Sequence, residues 1–129
     1  MFHLSSNGSK WVFDDKLSYP DPLSSTNFGS SLSFSRGNHS DVALGVGARN
    51  YDSSGRAYIF TLSRVTQRWS LQATLIPEYE YLQYFGASGS FYGDTYVVGA
   101  YGEDNNGDIN SGQQICFRFF IYGLYLIVL

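Results

Sequence analysis

The chain has 129 residues, a net charge of −3 and one cysteine, Cys116. That length fits one domain of ordinary size. The charge is small and there is no Lys/Arg cluster, which argues against nucleic acid, and one thiol excludes an internal disulfide or a multi-cysteine metal site. Charged residues make up 15%, aromatic residues 18%, and there are 14 glycines. Set against the roughly 25% charge of a typical soluble domain, this composition favours many short strands joined by tight turns, an all-β chain.

In chain order, Phe2 to Ser5 reads as the tail of a strand, Asn7-Gly8 as a turn, and Trp11 to Leu17 as the next strand. Ser18 to Asn27 is a loop, because Pro20 and Pro22 cannot donate to a sheet ladder. Phe28 to Ser35 alternates, with Phe28, Ser30, Leu32 and Phe34 on one face of a half-buried strand. Asp41 to Arg49 follows, with Val42, Leu44 and Val46 on one face and Ala43, Gly45 and Gly47 on the other. A face of Gly and Ala lets a neighbouring backbone come close. Asn50 to Gly55 turns the chain, Arg56 to Ser63 is a third strand, and Trp69 to Ile76 a fourth. The connector Pro77 to Tyr84 sets Glu78 and Glu80 among tyrosines; it reads as a solvated loop padding a gap, with a binding surface as the alternative.

This plan then repeats. Phe85, Gly86, Gly112 and Phe117 lie 57 residues after Phe28, Gly29, Gly55 and Phe60, while Val98-Gly99-Ala100 lies 52 after Val46-Gly47-Ala48. Length changes confined to loops, with strand anchors in step, mark stacked equivalent units. The N-terminus holds a partial third copy: Phe2, Leu4, Ser5, Trp11 and Leu17 match Phe60, Leu62, Ser63, Trp69 and Leu75 at one spacing of 58. Four strands per unit of this length point to propeller blades. The expected division is residues 1–27 as the C-terminal half of a preceding blade and its connector, 28–84 as a complete blade and connector, 85–118 as a truncated second blade, and 119–129 as an apolar tail foreign to the repeat. Gly89 stands where the first copy has Leu32, so the second opening strand is expected to be weaker.

Phe28-Gly29, Val46-Gly47-Ala48 and Gly55-Arg56-Ala57-Tyr58-Ile59-Phe60, with Phe85-Gly86, Val98-Gly99-Ala100 and Ser111-Gly112, resemble the FG-GAP repeat of integrin α-chain heads and related surface or secreted proteins. The resemblance implies an incomplete β-propeller of about two blades and a half-blade. It also implies an extracellular or cell-surface recognition role, with a protein or glycan as ligand of the full-length parent. Residues 1–20 carry no secretory signal, and Phe119 to Leu129 is too short to cross a bilayer as a helix of about 20 residues.

Some members of the family bind calcium through a loop of clustered carboxylates before the second strand. The corresponding stretches here, Ser35 to Asp41 and Tyr92-Gly93-Asp94, hold one carboxylate each, the first beside Arg36, so no calcium and no other cofactor is expected there. Glu103, Asp104 and Asp108 are the metal candidates of a later loop, against the plainer reading of a hydrophilic turn. No catalytic residue is assigned. His3 and His39 lack partners at metal or triad spacing, and adjacent Asp14 and Asp15 point to opposite faces of a strand. Cys116 reads as a small strand hydrophobe. Two further functional readings stand beside recognition: a fragment or truncated gene product with no activity of its own, and a piece of a propeller hydrolase.

Overall fold

The computed structural model describes residues 1–13, 16–18, 26–36, 42–77, 84–93, 95–102, 113–120 and 123–126, the last two stretches as backbone. The strands are β1 (Phe2–Leu4), β2 (Trp11–Phe13), β3 (Phe28–Arg36), β4 (Val42–Ala48), β5 (Arg56–Leu62), β6 (Trp69–Leu75), β7 (Ser88–Tyr92), β8 (Thr95–Ala100), β9 (Gln113–Phe120) and β10 (Gly123–Leu126). A 3₁₀ turn, Tyr51–Ser53, sits between β4 and β5. The fold is all-β. β1 and β2 form a hairpin, β3-β4-β5-β6 form one sheet in that order, and β7-β8-β9-β10 form a second, all neighbours antiparallel. None of the sheets closes on itself.

The hairpin and the first sheet share a register. In β1–β2, Phe2 pairs with Phe13, His3 with Val12 and Leu4 with Trp11. In β5–β6, Phe60 pairs with Leu71, Thr61 with Ser70 and Leu62 with Trp69, the same pairs moved by 58 residues. The turns match as well: Ser5 N–H donates to Lys10 O at 2.8 Å, as Ser63 N–H donates to Arg68 O at 3.0 Å. The partial third copy is therefore repeated in hydrogen bonding as well as in residue type.

Both faces of β4 are covered. Leu44, Val46 and Ala48 form one cluster with Tyr58 and Phe60, and Met1, Leu17, Phe28 and Trp69 pack against it. On the other side Ala57, Ile59 and Leu75 of the first sheet meet Phe85, Tyr96, Val98 and Ala100 of the second, all buried. Each large apolar side chain so enclosed contributes about 2 kcal/mol. This second cluster is the seam between the sheets.

The structure corrects the expected face of β3. Leu32 and Phe34 are 61% and 59% exposed, whereas Ser31, Ser33 and Ser35 are half-buried. A bulge between Phe28 and Leu32 lets Ser30 and Ser31 both turn towards the second sheet, so Ser30 does not share a face with Leu32. The hydroxyls face inward because β7 and the residues flanking it, Gly86 and Gly93, offer them backbone partners. Ser31 Oγ donates to Gly86 O at 2.9 Å, Phe91 N–H donates to Ser33 Oγ at 3.0 Å, and Ser35 Oγ donates to Gly93 O at 2.8 Å.

The second sheet differs from expectation in its strand count. β7 has 5 residues against 9 in β3. The stretch after Phe117, which does not follow the repeat in sequence, supplies backbone to the sheet: Gly123 pairs with Phe120, Leu124 with Phe119, Tyr125 with Arg118 and Leu126 with Phe117. A ladder asks only for β-prone residues, and this apolar, aromatic run meets that need without the repeat motif.

Gly47 is where the sheets approach most closely. A Cβ there would overlap the Gly86 carbonyl oxygen and Ser31 Oγ. Backbone cannot swing aside as a side chain can, so Gly47→Ala should cost about 3 kcal/mol or more in urea denaturation. Gly93→Ala is the control: its φ of +55° is strained for alanine, but the space around it is open, and about 1 kcal/mol is expected.

Candidate functional site: the aromatic-glycine corner and its rim

Phe85-Gly86 forms a corner that plugs into the first sheet. Phe85 N–H donates to Ser54 O at 2.9 Å, and Phe85 makes a parallel bridge with Gly55. Gly55 and Gly86 have φ of +86° and +87°, left-handed values that glycine adopts without penalty. At Gly86 a Cβ would overlap the carbonyl oxygen of Arg56, so the position requires glycine on both counts. The Gly86 carbonyl then accepts from Ser30 Oγ at 3.1 Å and Ser31 Oγ at 2.9 Å. Phe85 itself is fully buried.

The structure places the motif residues at this seam or at its counterpart. Gly47, Phe85, Gly86, Val98 and Ala100 meet in it. Val46, Ala48 and Phe28 lie on the opposite face of the first sheet, where Phe28 packs edge-on to Tyr58 at 5.7 Å between ring centres. Gly29 has a φ of +91° and lies in the open, the counterpart of Gly86 without a covering sheet. Gly99 lies across the pair of strands from Ser88.

Tyr96 is a residue that sequence reasoning passed over. Its ring lies over Gly45 and Gly89, where a Cβ would overlap it, and packs against Phe91 at 4.4 Å between ring centres. At the corresponding positions the first sheet has Leu44 and Leu32. A large ring has thus replaced one leucine and a glycine the other. The signal was available as Tyr96 and Gly89 changing together between copies.

Burial pushes the Tyr96 hydroxyl up to about 12 from its ordinary 10.0, with Ser31 pulling weakly the other way. Ser31 commits its proton to Gly86 O, and among the described residues Tyr96 Oη completes no hydrogen bond. The dry packing of the ring thus outweighs Ser31, and the hydroxyl stays protonated throughout the neutral range.

At the same end of both sheets lies an aromatic rim. The Arg56 guanidinium stands 3.6 Å above the ring of Tyr51, a cation–π contact. Tyr84 and Tyr101 stack with centres 4.7 Å apart and planes 8° from parallel. Tyr51 is buried, and Tyr101 is exposed.

Glu103, Asp104 and Asp108 lie outside the described residues, as do Asp14, Asp15, His39, Asp41, Glu78, Glu80 and Asp94. No group of three potential metal ligands occurs among the described residues. Of the stretches corresponding to the family's calcium loop, residues 37–41 and 94 lie outside the described residues. No helix of the described residues is long and apolar enough to cross a membrane.

Four-stranded antiparallel sheets, stacked face to face through glycine and alanine and left open at their ends, define a set of incomplete propeller blades. Comparison with known families agrees: the FG-GAP repeat matches residues 69–117. The match runs from Trp69 in the outermost strand of the first sheet to Phe117 in β9, and so crosses the seam. That match is consistent with a partial FG-GAP repeat protein. No curated protein matches it.

Tyr96 gives the seam a readable pH dependence. Its folded pKa is raised, so the unfolded chain releases the proton first, and stability intact below pH 10 declines as pH climbs towards 12. Between pH 8 and pH 11 wild type should lose about 1.4 kcal/mol more than Tyr96→Phe in urea titrations. At pH 8 the variant should equal or exceed wild type by up to about 1 kcal/mol, since it removes a buried unpaired hydroxyl.

Proposed function

We propose that the chain is a recognition module: blades of a propeller whose loop-bearing rim binds a protein or a glycan at a cell surface or in a secreted setting. The FG-GAP match across stacked sheets carries this reading, because FG-GAP repeats typically act as non-catalytic binding modules. The Tyr51–Arg56 and Tyr84–Tyr101 pairs support it by offering aromatic and cationic groups at one end of both sheets. Residues 1–27 serve in this reading as the outer half of a preceding blade, in keeping with the shared register of the two hairpins. It assigns no catalytic residue and no cofactor.

A second reading, a fragment without activity of its own, is favoured by one observation. Phe2, Trp11 and Phe13 on the hairpin, together with Leu32 and Phe34 on β3, expose large apolar side chains. Surfaces of that kind cause association.

Immobilised chain screened against glycan and cell-surface protein arrays should bind one ligand class saturably and equally well in calcium and in chelator. Tyr101→Ala should weaken that binding by about tenfold, the loss of one aromatic contact. Absence of any ligand, in a chain that melts cooperatively, would reject the recognition reading. A monodisperse monomer at high concentration would reject the inactive-fragment reading.

A further inference from the structure

We propose that Asn7 is an attachment site for an N-linked glycan, and that the sugar keeps the apolar face of the β1–β2 hairpin from associating. The proposal rests on the secreted or cell-surface setting inferred above and is independent of what the rim binds.

Asn7-Gly8-Ser9 is an Asn-x-Ser triplet without proline, the pattern that an oligosaccharyltransferase accepts. Such triplets are common in sequences, so the warrant is where the fold puts this one. Its three residues lie at the tip of the hairpin between β1 and β2, and all three are exposed. Space at the tip is open: a Cβ on Gly8, whose φ is +70°, would meet nothing within 4 Å. The turn is closed beneath them by Ser5 N–H donating to Lys10 O and Gly8 N–H donating to Ser5 O, each at 2.8 Å. A second triplet, Asn38-His39-Ser40, lies outside the described residues.

The Asn7 amide is held by its oxygen alone. Oδ1 accepts from Ser9 N–H at 3.2 Å, Ser9 Oγ at 2.7 Å and Ser5 Oγ at 2.7 Å. A backbone N–H can only donate, so the atom it meets must be the oxygen, which fixes the orientation of the amide. Among the described residues nothing engages Nδ2. In the transfer, Nδ2 bonds to C1 of a lipid-pyrophosphate-linked oligosaccharide and the C1–O bond breaks. The lipid pyrophosphate leaves with the electron pair, and one Nδ2 proton passes to the transferase. The hydrogen bonds of the turn survive, since none of them uses Nδ2. The tip closes off an apolar face: Phe2 pairs with Phe13 and Leu4 with Trp11, which puts four large exposed side chains on one side of the hairpin. A bulky, hydrated glycan beside them excludes the neighbour that such a surface would otherwise attract.

The test expresses the full chain behind an appended signal sequence in cultured eukaryotic cells and reads occupancy by glycopeptide mass spectrometry on total cell protein. The signal supplies the compartment, so occupancy depends neither on secretion nor on rim binding. The variant Asn38→Gln should carry one glycan, on Asn7. Adding Asn7→Gln or Ser9→Ala should abolish it, and adding Ser9→Thr should keep it. At low concentration the glycosylated chain should melt within about 2 °C of the same chain after enzymatic glycan removal. At high concentration the first should sediment as a monomer and the second should associate. An unoccupied Asn7 would overturn the proposal, as would a glycan that lowers the melt further, or association that is the same with and without it. A chain that carries the glycan yet binds nothing on the arrays would count against the recognition reading alone.

Discussion

Two β-sheets facing each other ordinarily stand about 10 Å apart, held off by the side chains between them. In this protein the Gly86 carbonyl reaches the Gly47 position directly, at a distance no Cβ would permit. Much else follows from that contact. It brings the Gly86 oxygen within reach of Ser30 and Ser31, draws Phe85 under the Ser54-Gly55 turn, and sets Tyr96 flat over Gly45. Once β7 lies so close to β3, the serines of β3 exchange water for backbone partners and turn inward. Leu32 and Phe34 are turned outward as the geometric consequence.

Much of this was legible before any coordinates. Period-two alternation located β3 to β6 to within a residue or two, and the Ala43-Gly45-Gly47 face announced a close backbone approach. The inward face of β3 was misread because hydrophobic patterning assumes that the apolar side of a strand is the covered side. Ser31, Ser33 and Ser35 reverse this, since a hydroxyl with a backbone partner loses little on burial. Their counterparts Ser88 and Ser90 in the second copy were the available clue. The coupling of the Leu32-to-Gly89 exchange with that of Leu44 to Tyr96 escaped notice for a different reason. Each change taken singly looks like decay of the motif, and only the fold shows that they touch. The backbone pairing of Gly123–Leu126 was beyond sequence pattern, because sheet ladders do not require the repeat's side chains.

The rim was the least legible part. Arg56 over Tyr51 and Tyr84 against Tyr101 are brought together by the corner at Phe85, which joins the ends of the two sheets. Neither pair stands at a spacing that a motif would flag. The rim contacts are a by-product of stacking: the glycines fix the sheets, and the sheets fix the aromatic groups at their edge.

The account rests on the two sheets forming one unit through the aromatic-glycine corner, and amide hydrogen exchange tests that most directly. Phe85 N–H, which donates to Ser54 O, and Phe91 N–H, which donates to Ser33 Oγ, both cross from the second sheet to the first. If the corner holds the sheets together, these two amides should exchange as slowly as those of β4 and β5 and open in the same cooperative step. Fast exchange at Phe85 and Phe91, with β4 and β5 still protected, would mean that the sheets are not joined there and would contradict the account.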